Sequence, residues 1–455
     1  MGLTFYTTSL AKELLADDGV MFISIDENEY ANLDLLLNEI FGEPNNLCTF
    51  IWKKKRGGGN DSVYVAVEHE YVLMVSKNRE KLPPLFTPYS EEYLSRYKEV
   101  DENGRYFWDT FKRKSGKQYY PITCPDGTVL EYDENGTRIS WLRSEKTFRK
   151  NLSEGEVRFQ QRADGSWSVQ FKQRLPKGKK LRSILTDYGT TSEGNEDIQA
   201  VFGMSVFDNP KPVRLMKHLI ESTCSEGDYV LDFFSGSATT AQAVMESAST
   251  QIPGLNFILV QIDEAIVPTR SEEARNAISL GFETIDALAR ERINRVADRI
   301  LSTAQSQVDC GYKLYFLHTP SGELLDDLMA FDPERGNALF AGDYVSKFSI
   351  GQTPGHATIL HTWLNMDGYG LSAVPSKLLL GTYELDICGD TGYIIQPGLT
   401  SDDVVELVRL LENNEIDVSR MVVLGYSVTF NVMHELKKNL SVLKSGRSVS
   451  VIERL

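Results

Sequence analysis

The sequence predicts an α/β fold interrupted by a basic, β-rich insert and followed by a C-terminal α+β domain, and three observations carry that reading. Short apolar runs of strand length alternate with stretches of helical period in residues 1–80 and again in 205–310, the pattern of a sheet covered by helices. Residues 81–204 lose that alternation to short strand-like pieces and turns such as Pro125-Asp126-Gly127 and Ala163-Asp164-Gly165. Charge changes with it: the chain carries a net −16, yet Arg105 to Arg182 holds 18 Lys and Arg against 9 Asp and Glu. Residues 311–455 are read as a separate domain of mixed elements.

With 455 residues, 41% hydrophobic and 25% charged, the chain has the profile of folded protein in two or three domains, which argues against wholesale disorder or a fibrous repeat. No apolar run approaches the roughly 20 residues a membrane helix needs, and a secretory signal pattern is not expected at the start. A cytoplasmic protein with no membrane partner follows as an expectation. Five scattered cysteines, none spaced like metal ligands, predict neither a disulfide framework nor a metal site.

Residues 8–16 read as a helix end feeding the strand VMFISI (20–25), whose unbroken apolar run suits cover on both faces. Leu33, Leu36, Leu37 and Ile40 recur at helical spacing up to Phe41-Gly42, where glycine supplies the stop. LCTFIW (47–52) and EYVLMVS (70–76) predict two more strands around KKKRGGGND, a loop expected to be exposed and mobile. From Asp208 the pattern returns: Pro212 opens the helix VRLMKHLIE, then come strand YVLDFF (229–234), helix TTAQAVMES and strand FILVQI (257–262). The two α/β pieces are expected to share one sheet. A long amphipathic helix (about 283–301) and GYKLYFL follow, read as an extension or docking surface.

The strongest local signal is YVLDFFSGSATTAQAVM (229–245): strand, acidic residue, then a small-residue loop opening a helix. Such a loop brings backbone N–H groups and a helix N-terminus against a ligand, with Gly236 allowing close approach. Asp263 and Glu264 then fall at the end of the next parallel strand, where a carboxylate can accept both ribose hydroxyls of an adenosine group. Spacing alone leaves NAD and S-adenosylmethionine open, as it does a purely structural strand-turn-helix. Phe233 and Phe234 beside Asp232 favour the sulfonium compound, because an aromatic face tolerates a cation where a pyrophosphate would ask for more glycine. Asn209, Pro210, Lys211 and Pro212 precede a helix and are placed to close over the methionine end; the plain alternative is an N-cap followed by a proline.

At these residues the sequence resembles the β-group DNA amino-methyltransferases, and more narrowly the modification subunit of type III restriction-modification systems. The resemblance rests on FDNPKPVRLMKHLIE, VLDFFSGSATTAQAVM and FILVQIDE, preceded by LLADDGVMFISIDENEYANLDLLLNEIFGE and EHEYVLMVSKN, and it covers nearly the whole chain. It implies a Rossmann-like methyltransferase sheet in permuted, β-group order, with residues 81–204 as target-recognition insert between catalytic and cofactor halves. It also implies transfer of methyl from S-adenosylmethionine to adenine N6 in double-stranded DNA, with a restriction (helicase-nuclease) subunit and a second copy of the chain as partners. Asp232 and Gly236 would shape the cofactor pocket and Glu264 would hold the ribose, while Asn209–Pro212 with Thr239 and Thr240 complete its wall. The family prefers glycine where this chain has Ala238, a substitution costly only if that backbone needs a positive φ.

DNA contact is expected from Trp52, Lys53, Lys54, Lys55 and Arg56 beside the glycines, and from Lys112, Arg113 and Lys114 in the basic segment, which pairs cations with rings able to stack on bases. The bland readings are a solvated hairpin tip and a small domain whose aromatics are core. Enzymes of the family flip the adenine and accept its amino hydrogens on D-P-P-Y, and no D-P-P-Y occurs in these 455 residues; Leu82-Pro83-Pro84-Leu85 reads as a linker. The expectation is therefore a modification subunit shortened at its amino end, cofactor-competent at best and unable to transfer methyl alone, with no assigned catalytic residue; the alternative is a non-catalytic fragment that binds DNA or cofactor, or half of a split enzyme. His69 and Glu70 are adjacent in a strand and point to opposite faces, so they are not read as an acid-base pair.

Overall fold

The computed structural model describes residues 2–57, 64–303, 308–319 and 344–454, save Pro88, Ser115, Lys177, Gln352, Lys444, Ser445 and Arg447, together with 321–323 and Asp326. Residues 58–63, which include the last four positions of the glycine-rich loop read from the sequence, lie outside the described residues, as does most of 320–343. The chain divides into two compact units, residues 1–311 and 312–455.

In the first unit, helix α1 (Gly2–Leu14), strand β1 (Val20–Ile25), helix α2 (Tyr30–Phe41), strand β2 (Asn46–Lys53) and strand β3 (His69–Ser76) follow one another as the apolar periodicity requires. Helix α2 stops at Gly42, which takes φ +86°. β3 lies between β1 and β2, antiparallel to both, and its last five residues are buried. Leu33, Leu37 and Phe41 of α2 cover one face together with Ala11 of α1.

The insert is a second, antiparallel sheet. Helix α3 (Glu91–Leu94) precedes strands β4 (Glu99–Asp101) and β5 (Gly104–Thr110); the two-residue strands β6 (Ile122–Thr123) and β7 (Val129–Leu130) pair with each other. Helix α4 (Glu145–Ser153), strand β8 (Val157–Gln161) and strand β9 (Trp167–Arg174) complete it in the order β4-β5-β9-β8. Its core is aromatic: Phe111, Tyr120, Trp141, Phe148 and Phe171 are buried together. The chain rejoins the first sheet at strand β10 (Ile184–Leu185), parallel to β2, well before the boundary of 205 expected from composition. The capping box of Thr190 and Glu193 then starts helix α5 (Thr191–Phe202).

The remaining elements of this unit are helix α6 (Val213–Glu221), strand β11 (Tyr229–Asp232), helix α7 (Thr239–Thr250), strand β12 (Asn256–Leu259), helix α8 (Glu272–Ser279) and helix α9 (Ile285–Thr303). β11 and β12 are parallel and form their own two-stranded ladder. Among the described residues no ladder joins them to the first sheet, unlike the single sheet expected. Apolar runs report that a strand is covered, not which neighbour it hydrogen-bonds. The halves are joined by α6, whose Leu215 and Leu219 pack on Phe50, Trp52 and Val72, while its Val213 and Ile220 pack on α7.

The second unit has five strands in sequential order: β13 (Ser376–Leu380), β14 (Tyr383–Cys388), β15 (Thr391–Ile394), β16 (Arg420–Leu424) and β17 (Ser450–Arg454). The first three are antiparallel and the last three parallel. Helix α10 (Gly355–Met366) covers one face; helices α11 (Ser401–Glu412) and α12 (Phe430–Ser441) cover the other. No helix among the described residues is long and apolar enough to cross a membrane.

Leu37 is fully buried between α2 and the first sheet, so Leu37→Ala should cost about 2–5 kcal/mol. Urea unfolding of the 455-residue chain followed by circular dichroism checks it, and a loss under 1 kcal/mol would contradict the packing described.

Candidate functional site

The loop after β11 is held in a tight, over-determined turn. Asp232 accepts the Phe234 N–H at 3.0 Å on Oδ1 and the Thr240 hydroxyl at 2.5 Å on Oδ2, so its carboxylate fastens the loop to the first turn of α7. Gly236 has φ +50°, its N–H donates to Gln261 Oε1 at 2.8 Å, and an added Cβ would come within 3.2 Å of the Phe207 ring. Ala238 answers the question left by the sequence: it is left-handed at φ +60°, at the N-cap of α7, and fully buried. A non-glycine residue there carries a strain on the order of 1 kcal/mol. Phe234 is 64% exposed at the mouth of the turn, whereas Phe233 packs inward against the first sheet's core.

Thr239 and Thr240 face inward rather than lining an open wall. Both are buried; the Thr239 hydroxyl accepts from Arg292 at 2.8 Å and that of Thr240 is committed to Asp232. β12 ends at Leu259, earlier than predicted, so Asp263 and Glu264 lie beyond the strand and are exposed, with Glu264 3.8 Å from Arg270.

Asn209 takes φ +50°, and Asp208 accepts from the Ser271 hydroxyl at 3.0 Å, which ties the pre-helix segment to the start of α8. Pro212 caps α6 without a side-chain hydrogen bond. The Val213 N–H is satisfied instead by Asp197 Oδ2 of α5 at 2.8 Å. Burial holds the Asp197 carboxyl above its usual range. Gly194 lets α5 approach so closely that a Cβ would sit 2.2 Å from the Pro210 carbonyl oxygen.

Lys211 leaves this segment and reaches the first sheet, where it pairs with Glu70 and lies 4.7 Å above the Trp52 ring. Lys54 joins Glu70 from the other side at 3.1 Å. Burial pushes Glu70 upward, but hydrogen bonds and charge from Lys211 and Lys54 outweigh it and hold the carboxyl below its usual value. Trp52 is corrected as a DNA contact: it is fully buried, its indole N–H donates to the Gly189 carbonyl at 2.8 Å, and strand alternation turns Ile51 outward in its place. Lys53 pairs with Glu68 at 3.5 Å and Arg56 with Glu193 at 3.3 Å; Lys55 is exposed beside them.

In the insert, Lys112 pairs with Asp133 at 3.5 Å and Arg113 with Asp109 at 3.3 Å, while Lys114 is exposed. Arg174 and Lys172 both contact Asp101 at 2.7 Å, and Arg174 also holds Glu156. Those hydrogen bonds keep Asp101 well below the usual carboxylate range. Tyr119 and Tyr132 are exposed aromatics of the segment, and Arg158 lies 4.1 Å over Trp108. A separate cavity of about 540 Å³ lies among Asp197, Arg214, Lys217, His218 and Glu246. It belongs to the outer face of α6 and α7 and contains none of the loop residues.

Sequence reasoning missed Asp197, Gln261, Phe207 and Arg292. Only Arg292 left a trace: it continues the apolar series Leu288, Val296, Ile300 at four-residue spacing, where a charged residue is out of place.

A family model described as DNA methylase matches residues 4–272, and one described as the type III R-M EcoP15I C-terminal domain matches residues 354–449. The type III restriction-modification enzyme StyLTI Mod subunit of Salmonella typhimurium is 33% identical across 98% of this chain and 70% of its own length. The EcoPI Mod subunit of Escherichia phage P1 is 28% identical across 98% of this chain and 71% of its own. Among solved structures, a Thermus thermophilus DNA modification methylase complexed with S-adenosyl-L-methionine matches 62% of this chain and 77% of that one, at 16% identity and a TM-score of 0.26.

Two outcomes test this geometry. Gly194→Ala should destabilise the first unit by about 1–3 kcal/mol, because the added methyl meets backbone that cannot rotate aside; denaturant unfolding measures it. Since the folded Glu70 carboxyl lies below its ordinary 4.5, the stability it contributes is complete above that pH and is lost as pH falls through the folded value. The stability gap between the wild-type chain and Glu70→Gln should therefore be constant at pH 6–8 and close in acid. A gap that widens in acid would reverse the assignment.

Proposed function

We propose a function from the premise that this chain belongs to the DNA methylase family and, within it, to the type III restriction-modification Mod subunits: it takes part in site-specific methylation of adenine N6 in double-stranded DNA. The observation that carries the reading is the turn from Asp232 to Ala238. There a carboxylate, a glycine pressed against Phe207 and a left-handed alanine shape backbone to receive a ligand at the start of a helix. S-adenosyl-L-methionine is the cofactor, and when bound it supplies an activated methyl group on a sulfonium. The exposed Phe234 ring suits that cation, and the exposed Glu264 carboxylate suits the ribose hydroxyls. Gly236, through its contact with Phe207, keeps the turn against the Asn209–Pro212 segment.

Double-stranded DNA is the substrate partner, met by cations of the insert that are not spent on internal ion pairs, Lys114 first among them. The second unit is the surface for a restriction (helicase-nuclease) subunit and a second copy of the chain, in the cytoplasm. No catalytic residue is assigned, because no D-P-P-Y is present in these 455 residues.

A second reading rests on its own observation. β1 pairs only with β3 and β11 only with β12 among the described residues, while Phe233, just past β11, packs on the same buried cluster as Ile23 and Ile25 of β1. Two strand edges without a partner beside one core favour a binding fragment or split enzyme, in which a strand from another polypeptide completes the sheet.

Calorimetry should show S-adenosyl-L-methionine binding and no NAD binding; NAD affinity without S-adenosyl-L-methionine affinity would overturn the cofactor. Gly236→Val should weaken that binding at least about tenfold, since a branched side chain at positive φ must displace Phe207. Labelled methyl transfer to DNA should be undetectable for the chain alone, and turnover by the chain alone would end the second reading. Lys114→Ala should weaken DNA binding alike across sequences and lower the slope of log affinity against log salt by about 1.

A further inference from the structure

Helix α9 packs its apolar stripe against α7, and Ala238, Ala241, Met245, Ala289, Ile293 and Val296 form one buried cluster. In the middle of it sits Arg292, with no exposed surface. A guanidinium is costly to take out of water unless its donors are met. Here Nη1 donates to the Ser237 carbonyl at 3.1 Å, the Ser237 hydroxyl at 3.0 Å and the Thr239 hydroxyl at 2.8 Å, and Nε donates to Gln242 Oε1 at 2.9 Å. Ser237 and Thr239 are the two neighbours of Ala238, the left-handed residue of the turn. None of the four acceptors is a carboxylate, so these contacts are not an ion pair that happens to be buried. Nη2 has no partner, and the nearby charges of Asp197 and Glu246 only partly offset the burial that pushes the group down to about 10. A protonated Arg292 at neutral pH is thus retained in an apolar seam for what it grips.

We infer that Arg292 is a positioning residue for the cofactor loop, its planar fork clamping both sides of Ala238 so that an alanine holds a backbone shape otherwise reserved for glycine. The inference rests on the reading of residues 232–240 as the S-adenosyl-L-methionine turn. Lysine cannot replace it, because the three donors of an ammonium radiate from one nitrogen, whereas these acceptors are met from two nitrogens of a planar fork. If the clamp opens, the turn relaxes toward right-handed backbone and the competent shape becomes a minor state, which lowers apparent affinity by its population. Glycine at 238 would make the clamp less necessary.

The test is a double-mutant cycle in the full 455-residue chain: wild type, Arg292→Lys, Ala238→Gly, and both. By calorimetry, Arg292→Lys should weaken S-adenosyl-L-methionine binding about tenfold or more, from loss of charge-assisted hydrogen bonds. Ala238→Gly should recover about fivefold in the lysine background, the worth of the left-handed penalty, and recover distinctly less beside arginine. Arg292→Lys binding as tightly as wild type, or glycine acting by the same factor in both backgrounds, would overturn the inference. Hydrogen exchange without cofactor gives an arm independent of the ligand: peptides spanning 233–242 should exchange faster in Arg292→Lys, with β11, β12 and the rest of α9 as in wild type. Faster exchange spread evenly through α7 and α9 would reduce Arg292 to a packing residue and refute the clamp. A wild-type chain that binds no S-adenosyl-L-methionine would count against the cofactor reading, and the exchange arm would still decide on Arg292.

Discussion

A left-handed alanine must be held in place by its surroundings, and much of the first unit is arranged around that constraint. Ala238 sits where the backbone turns from β11 into α7, at a shape worth on the order of 1 kcal/mol of strain. Asp232 ties the turn from the strand side, Gln261 from the neighbouring loop and Arg292 from the helix behind. Each brings a polar group into half-buried or buried surroundings. The strain and the desolvation are tolerated because these three contacts together over-determine the turn.

The charge pattern needs a similar distinction between presence and availability. The insert's excess of cations is real in the sequence, but many are already occupied. Arg174 and Lys172 close on Asp101 and Glu156, and the rings of Phe111, Trp141 and Phe148 are core. The bland expectation for this segment therefore holds for its interior. That interior is a small aromatic-filled domain, and the cations left open to an outside partner are the residual exposed ones, not the total count.

Much of the fold was legible because strand and helix periods are local. β1, α2, β2 and β3 fall within a few residues of where their apolar spacing puts them, and Gly42 ends α2 as a positive-φ residue should. The turn after β11 was legible for the same reason. What the sequence withheld is relational. Which edges pair is not written in an apolar run, so β11–β12 as a ladder of its own could not be foreseen. Trp52 misled because a basic run advertises solvent while pleat alternation, one residue at a time, turns its ring inward. Asp197 and Glu70 gained their roles only from partners well over a hundred residues away or on another element. Arg292 alone announced itself, as a charge inside an apolar stripe.

The two sides of helix α6 rest on different neighbours. Leu215 and Leu219 rest on the first sheet beside Trp52, while Val213 and Ile220 rest on α7 behind the turn, and Lys211 just ahead of it reaches Glu70. A beam shared by two floors cannot settle under one without tilting the other. Whatever immobilises its leading end thereby stiffens the sheet beside Trp52, and thermodynamic reciprocity requires that whatever stiffens that sheet steadies the leading end by an equal factor.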